Sequence, residues 1–130
     1  DALGVVGSVD GYKRQVFRRI GRPVEVIREF ENWWQSRDSE GALGWVYKGL
    51  LARRRTALLV PWLSAETAPN PVAIRVTAGA SGVVALAEPG TIANIRECDG
   101  RWCRVIIDPD EGWVEQTKLW GVYERERSKP

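Results

Sequence analysis

The sequence predicts an all-β chain made of two homologous copies of one small unit, with almost no helix. Two observations lead there. The first is a repeat: Val16, Ile27, Arg28, Glu29, Trp34, Gly44, Trp45, Val46 and Leu51 recur as Val84, Ile95, Arg96, Glu97, Trp102, Gly112, Trp113, Val114 and Leu119, all at one offset. Trp matched to Trp, and a Gly-Trp-Val triplet matched in register, are hard to produce by chance, so the copies read as homologous domains. The second is that each copy consists of short β-branched runs separated by Gly, Pro, Asp and Asn, the punctuation of strands and turns.

Taken in order, Pro23 to Ile27 alternates, with Val24 and Val26 apolar against Glu25 and Arg28, and Thr91 to Ile95 is its counterpart; such alternation predicts a half-buried strand. Each run ends in an acidic and small turn, Glu31-Asn32 and Asp99-Gly100, the second being a strong hairpin signal. A Trp-led strand follows, then a second turn (Asp38-Ser39-Glu40-Gly41; Asp108-Pro109-Asp110-Glu111), then Gly-Trp-Val. Lys48 to Leu51 and Gln116 to Leu119 are too brief for a packed helix and suit one 3₁₀ turn each. Thr56 to Val60 and Gly121 to Tyr123 read as the closing strands. One register stays open, because Trp33 rather than Trp34 matches Trp102 if the second copy has an extra residue in its preceding turn.

The domain organisation expected is a first unit over residues 1–60, a linker over 61–70, a second unit over 71–123 and a frayed tail over 124–130. Pro61, Pro69 and Pro71, with Ser64, Glu66 and Asn70, make the linker polar and semi-rigid. The tail, Glu124 to Pro130, has alternating Arg and Glu and no apolar residue.

Composition excludes several functions. The 130 residues contain 7 Trp, 2 Cys, no His and no Met. Without His there is no Ser-His-Asp or Cys-His arrangement and no imidazole metal ligand. No apolar run reaches the 18 or so residues of a spanning helix, so no transmembrane segment is expected. Asp1 follows neither an initiating Met nor a basic-then-apolar leader, which reads as a processed or trimmed chain, and targeting is not directly visible. The net charge of +2 is divided unevenly: residues 1–60 carry 11 Lys+Arg against 7 Asp+Glu, and residues 61–130 carry 8 against 10.

The order of elements resembles the bacterial SH3-like domain family. The runs RPVEVIREFENWW, GWVYKGLL, RRTAL, ECDGRWCRV and LWGVY are similar to a tandem, exported subfamily of bacterial SH3 domains. The resemblance implies two tandem small SH3-like β-barrels, each with a short 3₁₀ turn, a periplasmic or secreted location, and a binding role without catalysis, on extended peptide, peptidoglycan or a partner protein. The family's Arg-x-Gly-Pro element is replaced here by Val5-Val6-Gly7-Ser8 in the first copy and Arg75-Val76-Thr77-Ala78-Gly79 in the second.

Cys98 and Cys103 flank Asp99-Gly100-Arg101-Trp102, so a tight hairpin sets them opposite each other at a separation suited to a disulfide. Two free thiols in a reducing compartment are the alternative; the exported-family resemblance favours the disulfide. A metal site is not expected, since two thiolates without His or a second Cys pair cannot complete a tetrahedron. No cofactor is expected either.

Adjacent strand residues point to opposite faces, so Trp33 and Trp34 cannot both be inside. An outward Trp beside Tyr12 or Tyr47 forms an apolar platform of the kind that docks extended peptides, and Trp45 divides between a core plug and a groove position. The candidate ligand-binding residues are therefore Tyr12, Trp33, Trp34, Trp45 and Tyr47, with packing against a loop or neighbouring domain as the alternative for the outward Trp. Trp62 reads as a wedge between the domains. Lys13, Arg14, Arg18, Arg19 and Arg53 to Arg55 make the first copy basic; a solvated face is the default, with an anionic polymer the alternative. Nucleic acid is disfavoured because the second copy is acidic. Asp108, Asp110 and Glu111 occupy a turn where acids serve turn chemistry, and no enzyme is expected. A rigid scaffold for protein assembly is the competing reading of the whole chain.

Overall fold

The computed structural model of the chain describes residues 4–6, 8–9, 22–52, 55–62 and 71–130. Two compact units emerge, Asp1–Thr56 and Ala57–Pro130. In the first, β1 (Gly4–Val6), β2 (Ser8–Val9), β3 (Val24–Phe30), β4 (Trp33–Arg37) and β5 (Leu43–Tyr47) lead to a 3₁₀ turn, Lys48–Leu50, and β6 (Leu51–Ala52). A sheet runs in the order β1-β3-β4-β5, and β2 pairs with β6. Asp38 forms the β4–β5 turn as its sequence suggests: its carboxylate accepts the N–H of Glu40 and of Ala42, each at 2.9 Å. Gly41 takes the positive φ (87°) that the turn requires.

The second unit holds nearly all of β7 (Thr56–Leu59), then β8 (Val72–Arg75), β9 (Val83–Ala87), β10 (Ile92–Asp99), β11 (Trp102–Ile107), β12 (Asp110–Glu115), a 3₁₀ turn at Gln116–Lys118, β13 (Leu119–Trp120) and β14 (Arg127–Ser128). Its sheet runs β13-β7-β10-β11-β12-β8-β9, with β14 added to β10. Leu59, Val72, Ile74, Val105, Val114 and Leu119 are buried together in its core. Gly112 explains its own triplet. A Cβ there would lie 2.5 Å from the Arg75 carbonyl oxygen and 2.7 Å from Ile74 Cγ2, so only glycine admits this approach of β8.

Four expectations change. Thr56 to Val60 does not close the first copy: β7 pairs with β13, Leu59 opposite Leu119 and Leu58 opposite Trp120. All four β7 residues are buried, the polar Thr56 with the apolar Ala57, Leu58 and Leu59. Gly121 to Tyr123 is not a strand; the preceding Leu119–Trp120 is, and Gly121 turns the chain at φ 125°. The tail does not fray. Ser128 and Arg127 pair with Cys98 and Asp99, and Gln116 holds the segment before them through the Tyr123 and Glu126 carbonyls, at 3.3 and 3.1 Å. Finally, the ladders of the described residues form open paths rather than closed barrels; β13 and β9 end the longer one, and β13 offers only two residues for pairing.

Candidate functional site

The outer face of β3, β4 and β5 begins with a bulge. Val26 lies opposite Ser36, but Arg28 lies opposite Gln35, so the register slips by one at Ile27. An extra residue on one strand reverses which side chains face inward beyond it. Val24 and Val26 are therefore buried, whereas Arg28 and Phe30 face out. Phe30 is paired with Trp33, Trp33 with Tyr47, and Gln35 with Trp45. Cross-strand partners share a face, so Phe30, Trp33, Trp45 and Tyr47 form one aromatic surface, exposed at 65, 43, 39 and 43%. Trp33 and Tyr47 meet edge to face with centroids 5.7 Å apart. A shallow depression of ≈ 380 Å³ lies between Arg28, Glu29, Phe30, Trp33 and Trp45.

Trp34 lies on the other face, half-buried opposite the buried Val46, so it stands apart from this surface. Tyr12 lies outside the described residues, as do Lys13, Arg14, Arg18, Arg19, Arg53 and Arg54. Phe30 was absent from the sequence-based candidates. Simple alternation puts it on the same face as Val24 and Val26, and only the bulge at Ile27 turns it outward. Its place across the Glu31-Asn32 turn from Trp33 was the available signal.

In the second unit the hairpin carries the disulfide. Cys98 and Cys103 face each other across β10 and β11 and are bonded, with Cα atoms 4.0 Å apart. Asp99 builds the turn, its carboxylate accepting the N–H of Trp102 at 2.8 Å and of Arg101 at 2.9 Å. Those two bonds hold its carboxyl below the ordinary aspartate range, against desolvation that raises it, and the Arg127 and Arg101 cations add to the lowering. Gly100 takes φ 103°, and its N–H donates to the Gln116 side chain at 2.8 Å.

The profile of the bacterial SH3 domain matches the chain twice, over residues 7–52 and 68–121. The chain belongs to the bacterial SH3 domain family. No curated protein sequence matches it. Among solved structures it is similar to "Structure of NlpC2 from Trichomonas vaginalis", at 12% identity and a TM-score of 0.40, over 92% of this chain and 44% of that one; it thus spans less than half of that protein.

The pairings align the two bacterial SH3 units position by position. The Lys48 N–H donates to the Asn32 carbonyl at 2.9 Å in one, and the Gln116 N–H to the Arg101 carbonyl at 2.9 Å in the other. Trp33 pairs with Tyr47, and Trp102 with Glu115. This assigns Trp33, not Trp34, as the counterpart of Trp102, and puts Glu29 and Trp34 where the second unit has its two cysteines. Trp45 and Trp113 correspond. The outer faces then diverge: Phe30, Leu43 and Tyr47 stand where the second unit has Asp99, Glu111 and Glu115. Arg104 pairs there with Glu97 and Glu111, at 3.6 and 3.1 Å. One bacterial SH3 unit presents aromatic surface where the other presents an ion-pair network.

Asp108 and Glu111 are exposed at the β11–β12 turn. Trp62 is exposed at 58%. Among the described residues no helix is long and apolar enough to cross a membrane, and no group of three or more His, Cys, Asp or Glu is placed to hold a metal.

Proposed function

We propose that the chain is a non-catalytic, extracytoplasmic interaction module that binds extended peptide, of a partner protein or of the cell wall, on the aromatic face of its first unit. One observation carries this reading: at matched positions Phe30, Leu43 and Tyr47 replace three acidic residues of the second unit, and they do so at 65, 49 and 43% exposure. Large apolar side chains gathered on a solvent face without a covering element mark an interaction site in a soluble domain. Aromatic rings supply contact area at little entropic cost. Family membership supports binding over chemistry, and the lack of His removes the commonest general base. The Cys98–Cys103 disulfide supports an oxidising compartment, the periplasm or the exterior.

The test is a pull-down with purified peptidoglycan and, in parallel, an immobilised array of extended peptides, comparing the parent chain with the Trp33→Ala, Trp45→Ala double variant. Both side chains are partly solvent-exposed, so circular dichroism and melting serve as controls for folding. Retention of the parent and loss of the variant on either material supports the reading. Equal retention of both dismisses the aromatic face.

A further inference from the structure

The second unit shows what occupies the sheet edge beside this face. β10 has two neighbours on one edge: β7 near its start and, near its end, β14, whose Ser128 and Arg127 pair with Cys98 and Asp99. Arg127 borders the depressions that hold Trp102 on one side and Trp113 on the other. It also lies close enough to Asp99 to favour the ionised carboxylate. The segment leading into β14 is tied down by Gln116 through the Tyr123 and Glu126 carbonyls.

The first unit has the matching edge, and among the described residues no matching strand lies on it. β1 covers β3 at Val24 to Val26, and β4 covers its other edge. Beyond Val26 no strand among the described residues pairs with the outer edge at Glu29 and Phe30. The counterpart of Gln116 is Lys48, which is exposed and presents no amide to grip a following segment. Nor does this unit keep a tail of its own, because the chain after β6 continues into β7 and pairs with β13. Glu29 and Glu31 are exposed beside this edge, and Phe30, Trp33 and Trp45 lie on the face that a residue paired with Phe30 would share.

Resting on the peptide-binding reading above, we infer that the first unit binds its ligand by strand addition: an extended L-peptide pairs antiparallel with the Glu29–Phe30 edge of β3 and lays a basic side chain over Phe30, Trp33 and Trp45. The chemistry follows the in-chain precedent. Open backbone groups on an edge strand supply hydrogen bonds without sequence preference, and side-chain complementarity selects the sequence. A guanidinium or ammonium above Trp is attracted by the ring face, and the carboxylates of Glu29 and Glu31 add to that attraction. The mode selects L-peptides, since D-residues break the alternation that pairs with an L-strand edge.

The probe is a capped heptapeptide with the tail's own sequence, Glu-Arg-Glu-Arg-Ser-Lys-Pro, titrated into ¹⁵N-labelled full chain, with a second peptide N-methylated at the second Arg and the Ser. Successive strand residues point their N–H groups to opposite edges, so one methyl must fall on the paired edge. Expected are saturable amide shifts centred on Glu29 and Phe30, and binding weaker by a few-fold to about tenfold for the methylated peptide, as loss of one backbone bond implies. Equal binding of the two peptides overturns strand addition while leaving the aromatic face as a side-chain docking surface. Shifts centred on Cys98 and Asp99, or no saturable shift with either peptide, also overturn it. The array and peptidoglycan pull-down judges the aromatic face separately.

Discussion

Trp33 and Tyr47 stand directly opposite each other on β4 and β5, edge to face at 5.7 Å and 78°, with Phe30 on the far side of Trp33. Such pairs contribute about 0.5–1.5 kcal/mol beyond their area. A double-mutant cycle of Trp33→Ala and Tyr47→Ala, read by chemical denaturation, should give a coupling energy in that range, and toward its lower end because both rings are partly hydrated. Each single variant should weaken peptide retention more than it weakens folding.

Gln116 ties three pieces of the second unit together: the Gly100 amide, the Tyr123 carbonyl and the Glu126 carbonyl. Its side chain is buried, so truncation strands its partners at a cost of about 1–3 kcal/mol. Gln116→Ala should therefore destabilise the second unit by that amount and speed amide hydrogen exchange in the Arg127–Ser128 segment. Exchange in β3 to β5 should stay as it was.

Gly112→Ala drives a methyl group into the Arg75 carbonyl and the Ile74 side chain. Overpacking of this kind costs about 1–3 kcal/mol. A lowered melting temperature of the second unit, with the Trp33–Tyr47 fluorescence environment unchanged, is the expected signature.

The Cys98–Cys103 bond spans a sequence separation of 5. A loop that short corresponds to about 2 kcal/mol in the chain-entropy account. Mass spectrometry of native chain should give a mass about 2 Da below the reduced form, one bond in place of two S–H groups. Reduction should lower the unfolding free energy of the second unit by about that amount, read as a lower denaturation midpoint at unchanged m.

Asp99 is held ionised by the Trp102 and Arg101 amides. Since its carboxyl is depressed in the folded state, the resulting stability is fully present above the unfolded-state value near pH ~4 and is lost as pH falls through the folded one. Asp99→Asn keeps a turn-forming side chain but does not titrate, so its stability should vary less with pH below about pH 4. A variant with the same acid limb as the parent would contradict this.

The parts legible in the sequence were those set by local chemistry. Asp38 and Asp99 announced their turns because each carboxylate bonds amides two to four residues on, and the two 3₁₀ turns lie where their brevity put them. What escaped depended on register or on distant partners. Alternation showed that one of Trp33 and Trp34 faces out, but not which; the pairing of Trp33 with both Phe30 and Tyr47 decides it. The slip at Ile27 reverses β3, and no local residue preference announces it. Thr56 to Leu59 read correctly as a strand, yet its partner β13 lies some sixty residues away. The charged tail looked solvated by composition, and its order comes from Gln116 and the open edge of β10.

Residue-resolved mapping tests the central claim, that the outer face of β3 to β5 is the ligand surface, most directly. Amide shifts of ¹⁵N-labelled chain, titrated with whichever peptide or wall fragment the pull-down retains, should cluster on Arg28 to Gln35 and Leu43 to Tyr47, and Trp33→Ala with Tyr47→Ala should abolish them. Shifts centred on β10 to β12, or unaffected by the double variant, would contradict the account.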